Sequence, residues 1–185
     1  MRVRELWLHL CRILNSAVLK VVNDISGVVV TSHSDVTLNT SGMKLLSSVN
    51  LCDSSLHSEA VSCTIITDLF PDCTLYKGEV DIQYFCQCKK TDYIVVMDGM
   101  KVAVEVKRVS SFGGYNFINQ AYVDGILTNA AEKAQQSNKY VMDCDAWSAQ
   151  ILSILADDVS VIDLVAASTV NLDGFSMVIV SIVPF

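Results

Sequence analysis

Asp92, Glu105 and Lys107, in the stretch TDYIVVMDGMKVAVEVKR from Thr91 to Arg108, are the side chains of this chain best suited to joint chemistry. Hard divalent cations take carboxylate oxygens as ligands, and a neighbouring ammonium can orient a water and offset charge that grows on a reacting oxyanion. The spacing supports a meeting of the three. Asp98-Gly99 is a strong signal for a two-residue hairpin loop between two apolar, β-branched runs. Counting outward from that loop sets Asp92 opposite Glu105 and Lys90 opposite Lys107. Opposed residues project from one face of a hairpin, as do residues two apart on a strand. Asp92, Glu105 and Lys107 therefore gather at one end of one face.

The elements around the hairpin follow from pattern. Apolar residues at helical spacing mark residues 4 to 22 as an amphipathic helix. Val28 to Thr31 reads as a strand, Val36 to Leu38 as a short second one, and Met43 to Val49 as a short helix. A helix runs from about Leu56 to Leu69, and Pro71-Asp72 ends that segment as a turn. Strands follow at Glu79 to Cys86, Tyr93 to Met97 and Lys101 to Val109. After a loop at Ser110 to Gly114 comes an Ala-rich helix, Phe117 to Gln136, then a strand at Tyr140 to Cys144 and another at Trp147 to Leu155. The apolar segment Val159 to Val170 has no clear assignment, and Phe175 to Val183 is the last strand. Helices, then three strands, a helix and a strand imply an α/β sandwich around a mixed sheet.

This order, with Asp92 on one hairpin strand and Glu105-Val106-Lys107 on the next, resembles the PD-(D/E)xK nuclease superfamily, over roughly Leu56 to Leu155. The resemblance implies a restriction-endonuclease-like α/β/α sandwich with a central mixed β-sheet. It implies that Asp92 and Glu105 ligate Mg²⁺ (or Mn²⁺) with the main-chain carbonyl of Val106, and that Lys107 serves the attacking water. Thr91 stands where the strict pattern has proline, and the literal Pro71-Asp72 lies too far upstream. Asp81, in Gly78-Glu79-Val80-Asp81, is a rival for the motif aspartate, since that string resembles the metal-binding strand of resolvase-like nucleases. The hairpin register favours Asp92, and both contribute if Asp81 lies on the neighbouring strand.

Further positions follow from the same resemblance. Glu59, midway along the helix before the sheet, matches a place where such nucleases carry an additional acidic metal ligand. Gln120, on the helix after the motif, is a candidate to hydrogen-bond substrate or position Lys107, ahead of the Q-x-x-x-Y string Gln136 to Tyr140. Trp147 resembles a tryptophan that follows the second core helix in some divergent domains of this kind; as a bare feature it is a core aromatic. Lys90, Lys101 and Arg108, with Lys89 and Lys107, concentrate positive charge around the hairpin and are the candidates for phosphate contacts.

Composition bounds the reading. The 185 residues fit a single domain, divided here into an N-terminal helical and strand extension (1–52), a nuclease-like core (53–155) and a C-terminal extension (156–185). A net charge of −7 argues against strong general affinity for phosphate backbones, so DNA or RNA contact depends on the local basic patch. Seven cysteines in no dense framework point to a reducing, intracellular setting, cytoplasm or nucleus. Cys86 and Cys88, with no second ligand pair, read as packing residues rather than zinc ligands. There is no convincing targeting signal and no apolar run long enough for a bilayer. The sequence lacks G-x-S-x-G, a phosphate-binding glycine loop and H-E-x-x-H. The expectation is a metal-dependent nuclease-like domain that hydrolyses phosphodiester bonds. The alternative is a catalytically inactive nuclease-fold module for nucleic-acid or protein binding; in a third reading, the chain is a generic interaction domain with a coincidental E-V-K.

Overall fold

β-branched and aromatic runs bounded by turns favour extended backbone, and those runs supply the central sheet of this protein. The computed structural model describes residues 28–47, 55–76, 91–111, 118–144 and 147–183, apart from the side chains of Ser55 and 136–144. In chain order the elements are β1 (Val28–Ser32), α1 (Thr40–Ser47), α2 (Ser55–Leu69), β2 (Thr74–Leu75), β3 (Tyr93–Met97), β4 (Met100–Val109), α3 (Gln120–Cys144), β5 (Ala149–Ala156), α4 (Ser160–Ala167) and β6 (Met177–Ile182). The strands form one six-stranded mixed sheet in the order β1-β6-β5-β4-β3-β2. The pairs β2–β3 and β3–β4 are antiparallel, whereas β4–β5, β5–β6 and β6–β1 are parallel. Parallel neighbours need crossovers. Helix α3 makes the crossover from β4 to β5, and α4 the one from β5 to β6.

Helices cover both faces of the sheet. On one face, Leu45 of α1 and Cys63 and Ile66 of α2 pack with Tyr93, Val95, Val102, Val104, Ile151 and Ile179. On the other, Val123, Leu127, Ala130 and Ala134 of α3 and Val161 and Val165 of α4 pack with Val109, Leu152, Ile154, Val178 and Val180. Burial of both faces explains the near-continuous apolar run of β5, whose eight residues are all buried. A buried hydroxyl chain ties the α2 layer to the sheet: Ser62 Oγ lies 2.8 Å from Tyr93 Oη and donates to Ser153 Oγ at 2.7 Å. Helix α1 crosses α2 closely at Gly42, where a Cβ would stand 2.7 Å from the Ala60 carbonyl oxygen. Asn39 fastens the same junction. Its Oδ1 accepts from the N–H groups of Ser41 and Gly42, and its Nδ2 donates to Thr67 and Asp68 of α2.

The hairpin takes the expected register. Tyr93 pairs with Val104 and Met97 with Met100, which leaves Asp98 and Gly99 as the two loop residues. Both have positive φ, 53° and 76°, as a loop matched to the strand twist requires. Two expectations are corrected. Tyr140 to Cys144 is the end of helix α3, not a strand. No glycine or proline interrupts the chain between Gly125 and Cys144, and a short apolar run takes either form according to what it continues. Val36 to Leu38 is irregular rather than extended in a sheet. The unassigned Val159 to Val170 segment holds helix α4, whose Ser160 N–H donates to the Asp158 carboxylate at 2.7 Å. The helix expected at residues 4 to 22 and the strand at Glu79 to Cys86 lie outside the described residues, as do Cys86 and Cys88. Among the described residues, no helix is long and apolar enough to cross a membrane.

Candidate functional site

Strand alternation decides which helix layer each side chain meets. The even-numbered residues Val102 and Val104 of β4 join the core under α1 and α2. The odd-numbered Glu105 and Lys107 face α3, and Asp92, in the bend just before the last ladder pair Tyr93–Val104, reaches the same side, where it shares Lys133 with Glu105. β3 stops at Tyr93 while β4 runs on to Val109, so a pocket of about 390 Å³ opens beside the end of β4. Ser58 and Glu59 of α2, Asp92, Glu105, Val106, Lys107, Arg108 and Lys133 line it.

Asp92 lies in a bend just outside β3. Its N–H donates to the Val104 carbonyl at 3.2 Å, and its Oδ2 accepts from Val106 N–H at 2.6 Å. In an extended strand the N–H and C=O of one residue point to the same side, so the Val106 carbonyl shares the pocket edge with Asp92. Glu105 is buried, 5% exposed. Its Oε1 lies 2.8 Å from Lys107 Nζ, and its Oε2 is ion-paired with Lys133 of α3. The same Lys133 Nζ stands 3.2 Å from Asp92 Oδ1. Lys107 also donates to Asn129 Oδ1 at 3.3 Å, one helical turn before Lys133. Each carboxylate oxygen therefore has a partner, Glu105 Oε1 through its ion pair with Lys107 and without a hydrogen bond, and two ammoniums balance two carboxylates.

These contacts pull in opposite directions. Burial raises the Glu105 pKa, the Asp92 charge raises it further, and Lys133 and Lys107 oppose them. The net direction is upward, because removing a carboxylate from water outweighs partners that themselves remain partly solvated. Burial lowers the Lys133 pKa, but the charges of Asp92 and Glu105 prevail and the ammonium is held above its ordinary range.

The donors fit a hard divalent cation. Asp92 Oδ1 and Glu105 Oε2 converge on a single point, shown by their shared contact with one cationic nitrogen. Oxygen ligands of this kind suit Mg²⁺ or Mn²⁺. Among the described residues, no three acidic, histidine or cysteine side chains gather around one point, so Glu59 lines the pocket without joining the pair.

The other expected positions lie elsewhere. The Gln120 amide donates to Asp124 Oδ1 at 2.8 Å and to the Leu164 carbonyl at 2.9 Å, which fastens α3 to α4 away from the pocket. Lys101 sits near the hairpin loop, its Nζ 4.7 Å from the centre of the Tyr76 ring, and Arg108 is at the pocket. Asp81 and Lys90 lie outside the described residues, as do the side chains of Gln136 and Tyr140. Trp147 is a core aromatic packed with Ile94 and Ala103. The sequence reading missed Lys133 and Asn129. Their four-residue spacing on an Ala-rich helix puts them on one face, but only the crossover brings that face to β4.

No family model matches the chain. No solved structure matches it either. It is 27% identical over 142 residues to the AAC-rich mRNA clone AAC4 protein of Dictyostelium discoideum, a match that covers 74% of this chain and 20% of that protein. The chain thus spans about a fifth of the length of this relative.

Proposed function

We propose that this chain is a restriction-endonuclease-like domain that hydrolyses phosphodiester bonds in DNA or RNA with the help of Mg²⁺ or Mn²⁺. One observation carries the reading: the Asp92 and Glu105 carboxylates converge across a hairpin beside an open pocket, with Lys107 Nζ 2.8 Å from Glu105. Asp92, Glu105 and the Val106 carbonyl would hold the metal, which when bound supplies Lewis acidity and a more acidic water. Lys107, steadied by Glu105 and Asn129, directs its ammonium to the attacking water and to charge that grows on the phosphate. The water gives up a proton as its oxygen bonds to phosphorus, the ester P–O bond breaks, and the departing oxygen takes up a proton, so that the net change is the addition of one water. Arg108 at the pocket contributes a phosphate contact. Buried free thiols at Cys63 and Cys73 accord with a reducing intracellular setting.

A second reading, a nuclease-fold module that binds without turnover, draws on the Lys133 ammonium, which neutralises both carboxylates. The two separate in one assay. Purified protein is incubated with single- and double-stranded DNA and RNA in Mg²⁺ or Mn²⁺, beside Glu105→Ala and Lys107→Ala. The enzyme reading expects cleavage by the parent protein and a loss of about a hundredfold or more in each variant. Cleavage that survives both substitutions, or none with any substrate, overturns it.

A further inference from the structure

We propose that Lys133 is a built-in counter-ion that closes the Asp92–Glu105 pair to divalent metal until a substrate phosphate draws its ammonium away. The inference rests on the metal-site reading above and adds a control element to it.

The contacts make the competition direct. Lys133 Nζ occupies the point on which Asp92 Oδ1 and Glu105 Oε2 converge. A Mg²⁺ ion sits about 2.0–2.1 Å from its oxygen ligands, so ion and ammonium exclude each other from that point. The side chain can leave. It hangs from α3 on four methylenes, is 25% exposed, and lines the same pocket as Arg108 and Lys107. Charge sets the trigger. With Lys133 in place, two ammoniums balance the two carboxylates. Replacing it there by a divalent ion while its own charge stays nearby leaves the pocket two charges positive, an excess that a phosphodiester anion reduces. Metal binding and phosphate binding then favour one another, and by linkage the effect is reciprocal.

The test is Mn²⁺ binding without substrate, followed by the electron paramagnetic resonance signal of the free ion. Lys133→Met is expected to tighten Mn²⁺ at least about tenfold over the parent protein, and Lys133→Met/Glu105→Gln to abolish that gain. Equal or weaker binding by Lys133→Met, where the parent binds through Glu105, overturns the counter-ion role and leaves the metal site standing. No Glu105-dependent binding in either protein overturns the metal site itself. A measurement on the unaltered chain guards against misfolding of the variant. Amine acylation at Lys133, mapped by mass spectrometry, should rise severalfold as Mn²⁺ saturates the protein. Unchanged labelling at saturation contradicts the proposal.

Discussion

Lys107 and Lys133 both pair with Glu105, yet their loss should have different consequences. Lys133 bridges two carboxylates, one of them buried, whereas Lys107 bridges one carboxylate and an exposed asparagine. Removing one member of a buried ion pair strands the other, and partial solvation of Lys133 moderates that cost. Lys133→Met should therefore destabilise the fold by about 1–3 kcal/mol at neutral pH, and Lys107→Ala by less, because Lys133 still neutralises Glu105. The sign of the pH effect follows from the raised Lys133 pKa. Its contribution is fully present below the ordinary lysine value of 10.5 and is lost as pH rises through the higher folded value. Denaturant midpoints of the parent and Lys133→Met should accordingly differ at pH 7 and converge above pH 10.5. A constant gap across that range would contradict the ion-pair account.

At the scale of elements, the Asp98-Gly99 loop sets the register of the whole site. A slip by one residue would turn Asp92 to the opposite face, towards α2, and separate it from Glu105. This register was legible in the sequence because a two-residue loop with an Asp-Gly pair has few geometries and counting does the rest. The α1–α2 junction was not legible: nothing local to Gly42 announces that α2 passes beside it. Alanine at the two glycines should expose the difference. At Gly99, where a Cβ meets nothing within 4 Å, the cost is backbone strain alone, about 1 kcal/mol. At Gly42 the added methyl meets Thr64 and the Ala60 carbonyl, and crowding should cost about 1–3 kcal/mol. Chemical denaturation of both variants measures the pair of values. A Gly42→Ala protein as stable as the parent would mean that the two helices do not approach as described.

Across the whole molecule, two helical layers enclose the sheet and bury Cys63 and Cys73. Burial pushes both thiols up to about 12 from an ordinary 9.0. Thiolate is the reactive form, so neither should be alkylated in the folded protein at pH 8, and both should react once it unfolds. Peptide mapping after iodoacetamide treatment resolves them from the other cysteines; rapid native labelling of either would contradict the burial. The sign for stability is the reverse of the lysine case in mechanism but not in outcome. Unfolded thiols ionise above 9.0 while folded ones stay protonated, so stability falls as pH rises from there towards about 12.

Local pattern was enough for the two hairpin strands, for β1, β5 and β6, for the gathering of Asp92, Glu105 and Lys107 at one pocket, and for α1, α2 and the start of α3. Each depends on periodicity or on a turn a few residues long, and such information is carried by neighbours in the chain. The extent of α3 needed more, since Tyr140 to Cys144 has the apolarity of a strand and only continuity of the helix resolves it. Lys133 and Asn129 needed most. They reach Glu105 and Lys107 because a parallel pairing of β4 with β5 forces the chain through α3 and lays that helix across the carboxylate face. Gln120, on the same helix, is carried instead to α4. Helical spacing says which residues share a face; the crossover decides what that face meets.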